Sequence, residues 1–347
     1  MKIRISAVAA VVLTAGLALA SCAKPEAAAP ARPANALSVA VFVPGVASGS
    51  PIYEQLVSGA ERAVAQVPGA KLKVIEAGFD QSTWLDKLRD IAASGEFGLI
   101  ASSNPALPEL AAKVAADFPA QRFFIADAYL AGNPAIHTVL YNQLEQGYVA
   151  GYLAGLVTQA RRPAAGAGLV AGLVAAQRYP TLDRLIQPGF EAGLKAVDPA
   201  FTLEYREVGN WYDANRAAEL ARSLYSGGVE VILPIAGGAG QGVVASASEL
   251  GKAVVWFDGS GYGLGPKAVV GCATLDQDRL VYERVKALLE GGELYGKAEV
   301  VGAAGGYIGF DPDGEAYRAL PPALRERFEA ALAKLAAGEP AFTIDSF

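Results

Sequence analysis

The chain has 347 residues, with 35 acidic and 29 basic side chains, one histidine and two cysteines. A net charge of −6 argues against nucleic acid as a partner, and so few histidines and cysteines leave little material for metal sites, thiol nucleophiles or disulfides. The length suffices for two domains with large cores.

The chain opens on Lys2 and Arg4 followed by an apolar run, Ile5–Ala20. This is the pattern of a secretory leader over residues 1–21, too short for a membrane span with proper flanks. It ends Leu19-Ala20-Ser21-Cys22, which resembles the bacterial lipobox and makes Cys22 the expected lipidation site. Residues 22–36 are rich in Pro and Ala without apolar periodicity and read as a tether. With Cys22 acylated, Cys272 has no disulfide partner.

From Leu37 onward strands and helices alternate. Leu37–Val43 is the first strand, and the Gly/Ser loop Pro44–Pro51 leads into an amphipathic helix, Ile52–Val67. Strands follow at Lys71–Ile75, Gly98–Ser102, Arg122–Ala126 and Thr138–Tyr141, with helices at Gln81–Ser94, Leu107–Phe118 and Gln146–Leu156. The last of these helices is rich in small residues and should pack closely. His137 follows Asn133-Pro134 and reads as a loop or surface histidine.

The alternation then begins again. Strands are expected at Ala167–Val174, Thr202–Val208, Val229–Ile235, Lys252–Phe257, Val269–Thr274 and Lys297–Gly302. Helices are expected at Pro180–Val197, which Pro188 should kink, and at Asp213–Ser226, Val243–Leu250, Gln277–Leu289 and Pro321–Ala337. Tyr307–Pro312 reads as an irregular return. Short apolar strands alternating with helices make an α/β fold, two doubly wound parallel-sheet lobes joined near Tyr141–Gln146 with a ligand cleft between them.

In such sheets ligands sit outside the carboxyl ends of the strands. The candidate ligand-binding residues there are Ser50, Tyr53, Asn104, Asp127, Asn142, Trp211, Gly238 and Asp258. A carboxylate such as Asp258 or Asp127 accepts two hydroxyls, which suits a ribose or another diol, and the bland role for either is a turn or helix cap. Trp211 and Tyr53 could stack on a planar ring or simply pack. Asn104 and Asn142 offer donor and acceptor together, or could brace a turn. Gly237, Gly238, Gly240 and Gly242 form a nearly bare strand-to-helix turn. It misses the dinucleotide fingerprint and carries no phosphate-binding lysine.

The stretches YNQLEQGYVAGYLAGL (141–156), GFEAGLKAVDP (189–199) and PIAGGAGQGVV through VVWFD (234–258) resemble the basic membrane protein family of bacterial substrate-binding lipoproteins. FFIAD, ending at Asp127, is similar to that family's strand ending on an aspartate. The resemblance implies a type I periplasmic-binding-protein fold with a hinge. Its N-terminal lobe would comprise residues 37–141 plus about 259–296, and its C-terminal lobe 142–258 plus about 297–347. It also implies an ABC permease as partner, membrane attachment through the lipid, a monomer in the cell envelope facing the periplasm or exterior, and a purine nucleoside or similar ligand. Two features differ from the family pattern: the loop Pro44–Tyr53 has no acid, and Leu275 stands where the family often supplies a lysine.

Two other classes use the same residues. A lipid-anchored sensor for a membrane receptor would share every feature. A hydrolase or transferase on this scaffold would need a serine elbow, a histidine–acid pair or a metal cluster, and none is evident. The expectation is therefore a binding protein without catalytic residues, metal or cofactor.

Overall fold

Among the described residues twelve strands divide evenly between two sheets, and the divide is not the simple halving of the chain. The computed structural model describes residues 35–162 and 168–344. The leader, Cys22, most of the tether and Ala167 of the expected sixth strand lie outside the described residues. The described residues form one compact unit.

Strands β1 (Ser38–Val43), β2 (Lys71–Glu76), β3 (Leu99–Ser103), β4 (Arg122–Ala126) and β5 (Ile136–Tyr141) lie in the first sheet, with helices α1 (Pro51–Gln66), α2 (Trp84–Ser94) and α3 (Leu107–Asp117) between them. Helix α4 (Gln143–Arg161) then opens the second lobe. There β6 (Val170–Ala175), α5 (Gln187–Val197), β7 (Thr202–Glu207), α6 (Ala214–Ser226), β8 (Val231–Ile235), α7 (Gly240–Leu250), β9 (Ala253–Asp258) and β10 (Val269–Leu275) follow. Helix α8 (Gln277–Leu289) and strand β11 (Ala298–Val301) return to the first lobe. Strand β12 (Ile308–Asp311) and helices α9 (Glu315–Arg318) and α10 (Pro322–Ala336) close the second.

The first sheet has the order β11-β5-β4-β3-β1-β2 and is parallel throughout. The second runs β12-β10-β9-β8-β6-β7, with only β12 antiparallel. The two orders match place for place, so β4 corresponds to β9, β1 to β6 and β2 to β7. Central strands such as β1 and β8 are buried along nearly their whole length, as apolar runs covered on both faces must be.

Several expected boundaries are corrected. Strand β10 pairs with β9 and β12 in the second sheet, and β11 pairs with β5 in the first. The lobes therefore exchange chain at Leu275/Asp276 and Val301/Gly302, not near residues 259 and 297. The segment Tyr307–Pro312 is strand β12 rather than an irregular return, its ladder to β10 satisfying backbone groups that a loop would leave buried. His137 lies in β5 and is fully buried, stacked on Phe124 with ring centroids 5.7 Å apart. Its Nε2 lies 3.2 Å from Glu299 of β11, a partner far away in sequence. Asn35, assigned to the tether, docks on the first lobe by donating its side-chain amide to the Gly95 carbonyl at 2.9 Å.

The expectation of close helix packing holds. Helix α4 packs backbone-close on α5 through small residues of both. Pro188 sits in the first turn of α5, immediately after a π-helical turn over Leu182–Ile186 that absorbs its missing donor.

Three chain crossings join the lobes, and hydrogen bonds knit them together. Asn142 N donates to Val301 O at 2.8 Å, Asp276 N to Tyr307 O at 2.9 Å, and Ala303 N to the Glu145 carboxylate at 2.6 Å.

Candidate functional site

Asp127 and Asp258 end β4 and β9, the same place in the two sheets. They are the only non-glycine residues with positive φ among the described residues, at 52° and 70°. Aspartate tolerates this left-handed region better than most side chains, but holding it costs energy, and such residues gather at functional sites. Burial raises the Asp258 carboxyl from the usual 3.8 to about 6, with Gln146 opposing the shift. Asp127 is also pushed well up, first by burial and then by the charge of Asp258. Its Oδ1 is buried without a hydrogen-bond partner. Neither acid has a lysine, arginine or histidine within ion-pair distance among the described residues.

Aromatic side chains from both lobes surround these acids. Tyr179, in the loop after β6, has its phenol pushed up by burial and then by Asp127, Asp258 and Tyr53, so all four groups share one region. Tyr53 of α1 is raised to about 12 by burial, with a weaker push from Asp127, and its hydroxyl accepts from Asn104 Nδ2 at 3.3 Å. Trp211, after β7, lies with its ring centroid 5.8 Å from that of Tyr179, inclined by 55°. The structure thus brings together Tyr53, Asn104, Asp127, Trp211 and Asp258, with Gly238 exposed beside the Trp211 backbone.

Some predicted residues have structural duties as well. Asn104 Oδ1 accepts from Ala106 N at 2.9 Å, bracing its own turn. Ser50 is the N-cap of α1 and half-buried, but its hydroxyl makes no capping bond. Asn142 is drawn away from the group: its Nδ2 donates to the Phe342 carbonyl at 2.8 Å, tying the C-terminal tail to the crossing.

The glycine turn is explained chiefly by packing. Gly237 has φ 53°, and an added Cβ there would sit 3.3 Å from the Trp211 ring. A Cβ at Gly242 would lie 1.8 Å from the Ala214 carbonyl oxygen, so its absence lets α7 press against α6.

A cavity of about 380 Å³ opens between the start of α1 and the carboxyl ends of β9 and β10, within the usual range for small-molecule sites. Gln55, Asp258, Thr274, Asp276, Tyr307 and Phe310 are in its wall. Asp258 borders both this cavity and the aromatic group. Leu275 also lines it, and among the described residues no lysine or arginine does.

Two residues of the site are not evident from local pattern. Gln146 is fully buried in α4, where its Nε2 donates to Asp258 Oδ1 at 3.2 Å and to Ala273 O at 3.1 Å. In sequence it is one polar residue in a small-residue helix. Tyr179 follows a strand, as Trp211 does, and that placement was its only signal. Cys272 is buried, with its thiol pushed to about 12 by burial, and is chemically quiet. No group of side chains able to hold a metal ion occurs among the described residues.

A family model described as Bmp, ABC transporter substrate-binding protein PnrA-like, matches residues 36–335. A CD4+ T-cell-stimulating antigen of Listeria monocytogenes is 29% identical over 161 residues, 46% of this chain and 43% of that protein. An ABC transporter nucleoside-binding protein, BmpA, of Lactococcus lactis is 24% identical over 144 residues, 42% of this chain and 38% of that one. The chain thus spans less than half the length of these relatives in the matched stretch. Among solved structures, a solute-binding protein of an ABC transporter system from Aeropyrum pernix superposes with a TM-score of 0.76 at 20% identity, covering 87% of this chain and 92% of that one. The fold is that of the type I periplasmic binding proteins.

Proposed function

This chain belongs to the Bmp family of PnrA-like ABC transporter substrate-binding proteins, and from that membership we propose that its lobes close on a small ligand pairing a flat ring with hydroxyl groups, a purine nucleoside or a relative of one. Proteins of this family bind solutes for ABC transporters and are not enzymes. The observation that carries the ligand class is the pairing of Asp127 and Asp258, at equivalent strand ends, with the rings of Tyr53, Tyr179 and Trp211. Desolvated carboxylates accept hydrogen bonds from hydroxyls, and rings stack on rings. The name of the Lactococcus lactis relative supports a nucleoside. With Leu275 in place of a lysine, hydroxyls here would be held by acids, amides and hydroxyl side chains of the cavity wall.

In this reading Gln146 keeps Asp258 oriented, and the strained backbone at both acids fixes their carboxyls toward the ligand. The chain acts as a monomer anchored through Cys22 on the outer side of a bacterial membrane, delivering its ligand to permease subunits. The lipobox-like Leu19-Ala20-Ser21-Cys22 supports the anchor.

A thermal-shift screen with inosine, guanosine, adenosine, free bases, sugars, amino acids and vitamins tests the ligand class. A ligand at roughly a hundred times its dissociation constant adds about 2.7 kcal/mol to stability, a readable rise in Tm. A shift with a nucleoside supports the reading. Shifts only with ligands that lack a flat ring or lack hydroxyls refute it.

A further inference from the structure

The three chain crossings all lie at one edge of the molecule, beside β5 and β11 in the first sheet and β10 and β12 in the second. The opposite edge is formed by β2 and β7, which occupy equivalent places. Just beyond their carboxyl ends, a pair of large aromatic side chains face each other across the lobes. Phe79 and Tyr212 have ring centroids 6.4 Å apart and an inclination of 47°. They are 51% and 68% exposed, so neither is a core residue of its own lobe. Each is nevertheless positioned from behind. An added Cβ at Gly45 would sit 3.1 Å from the Phe79 ring and 3.0 Å from that of Tyr53, so Phe79 continues the wall that Tyr53 begins. Tyr212 follows Trp211, and its backbone N–H is held at 3.0 Å by the side-chain oxygen of Asn210.

We propose that Phe79 and Tyr212 form a clasp at the lip of the cleft, retaining the bound ligand by holding the two lobes closed. The proposal rests on the reading that the lobes open and close about the crossings.

Geometry supplies the leverage. From β5 to β2 the first sheet spans four strand spacings, roughly 19 Å at about 4.8 Å each. A hinge rotation of roughly 20° therefore moves the lip by about 7 Å, enough to separate the rings and break their contact. The ring contact exists only in the closed arrangement, so its whole interaction energy is differential between the two states and shifts their populations. Aromatic pairs of this kind shift an equilibrium by roughly 2- to 12-fold. The pair also shields the outer end of the aromatic group from water and narrows the ligand's way out.

The test measures closure without any ligand, so the result can be read even if every nucleoside proves silent in the thermal screen. Spin labels are attached to the full chain through encoded azide residues at positions 86 and 219. Asp86 on α2 and Glu219 on α6 have side chains 82% and 65% exposed, one on each lobe. Pulsed dipolar spectroscopy then gives the fractions of closed and open chain. The clasp predicts a closed population in the unaltered protein whose ratio to the open one falls roughly 2- to 12-fold in Phe79→Ala and in Tyr212→Ala. The double variant should fall no further than either single one, and Tyr212→Phe, which keeps the ring, should behave as the unaltered chain. Leu250→Ala, removing an exposed apolar side chain distant from the lip, serves as the control. An unaltered chain with no closed population, or alanine variants whose closed fraction matches it, overturns the proposal.

Discussion

Replacing Asp258 by asparagine separates the cost of the buried carboxylate from its use. The folded carboxyl titrates at about 6 rather than 3.8 because burial disfavours its charge. A rise of this size, about two pH units, corresponds to about 3 kcal/mol. The folded state holds the proton more tightly than the unfolded state, so stability is full below about pH 4 and is lost as pH rises through about 6. Asparagine cannot ionise, accepts the left-handed backbone at φ 70°, and offers an oxygen that can still accept from Gln146. The ligand-free Asp258→Asn chain should therefore match the parent at pH 4 and exceed it by about 3 kcal/mol at pH 7.5, a rise in Tm of roughly 5 °C or more for a chain of this size. Removing the Asp258 charge also relieves Asp127, which adds to the gain. Scanning calorimetry at the two pH values reads both numbers. The same variant should bind a hydroxyl-bearing ligand about 10- to 100-fold more weakly, the scale of a lost hydrogen bond to a charged acceptor. A variant no more stable than the parent at pH 7.5, or equally shifted at both pH values, would refute the reasoning.

Glu299 should show the opposite pH dependence. It lies 3.2 Å from His137 and 2.8 Å from Arg284, and the hydrogen bond with His137, followed by that with Arg284, lowers its carboxyl to about 2. Its stabilisation is present above the ordinary 4.5 and lost as pH falls toward 2. With the side chain about a third exposed, Glu299→Gln should cost about 1–2 kcal/mol in urea unfolding at pH 7, a gap that narrows sharply at pH 3. Gly242→Ala should cost about 3 kcal/mol or more, because its methyl would meet the Ala214 carbonyl at 1.8 Å and force α6 from α7. Gly238→Ala, whose nearest neighbour would be 3.5 Å away, should cost under about 1 kcal/mol by the same denaturation assay.

Nearly every strand and helix was legible in the sequence, because period and flanking glycine or proline are local properties. The acids at the ends of β4 and β9 were legible too, since a polar residue closing an apolar strand marks its carboxyl end. The quoted motifs were enough to point to the family. Tertiary structure alone decided which sheet each late strand joins. β10 and β11 are both short, apolar-rich strands, and nothing in their own residues distinguishes pairing with β9 from pairing with β5. His137 shows the same limit: its buried ring meets Lys297 and Glu299, 160 and 162 positions away, which no local pattern around Asn133-Pro134 reveals. Within the site, Asn142 looked equivalent to Asn104 until the carbonyl of Phe342 came within 2.8 Å of it, and Gln146 acquired its role only when β9 placed Asp258 beside α4. Sequence settles what a segment can form, because propensity and pattern act over a few residues. Which polar group meets which is settled by contacts between segments far apart in the chain, where burial makes every unmet donor or acceptor costly.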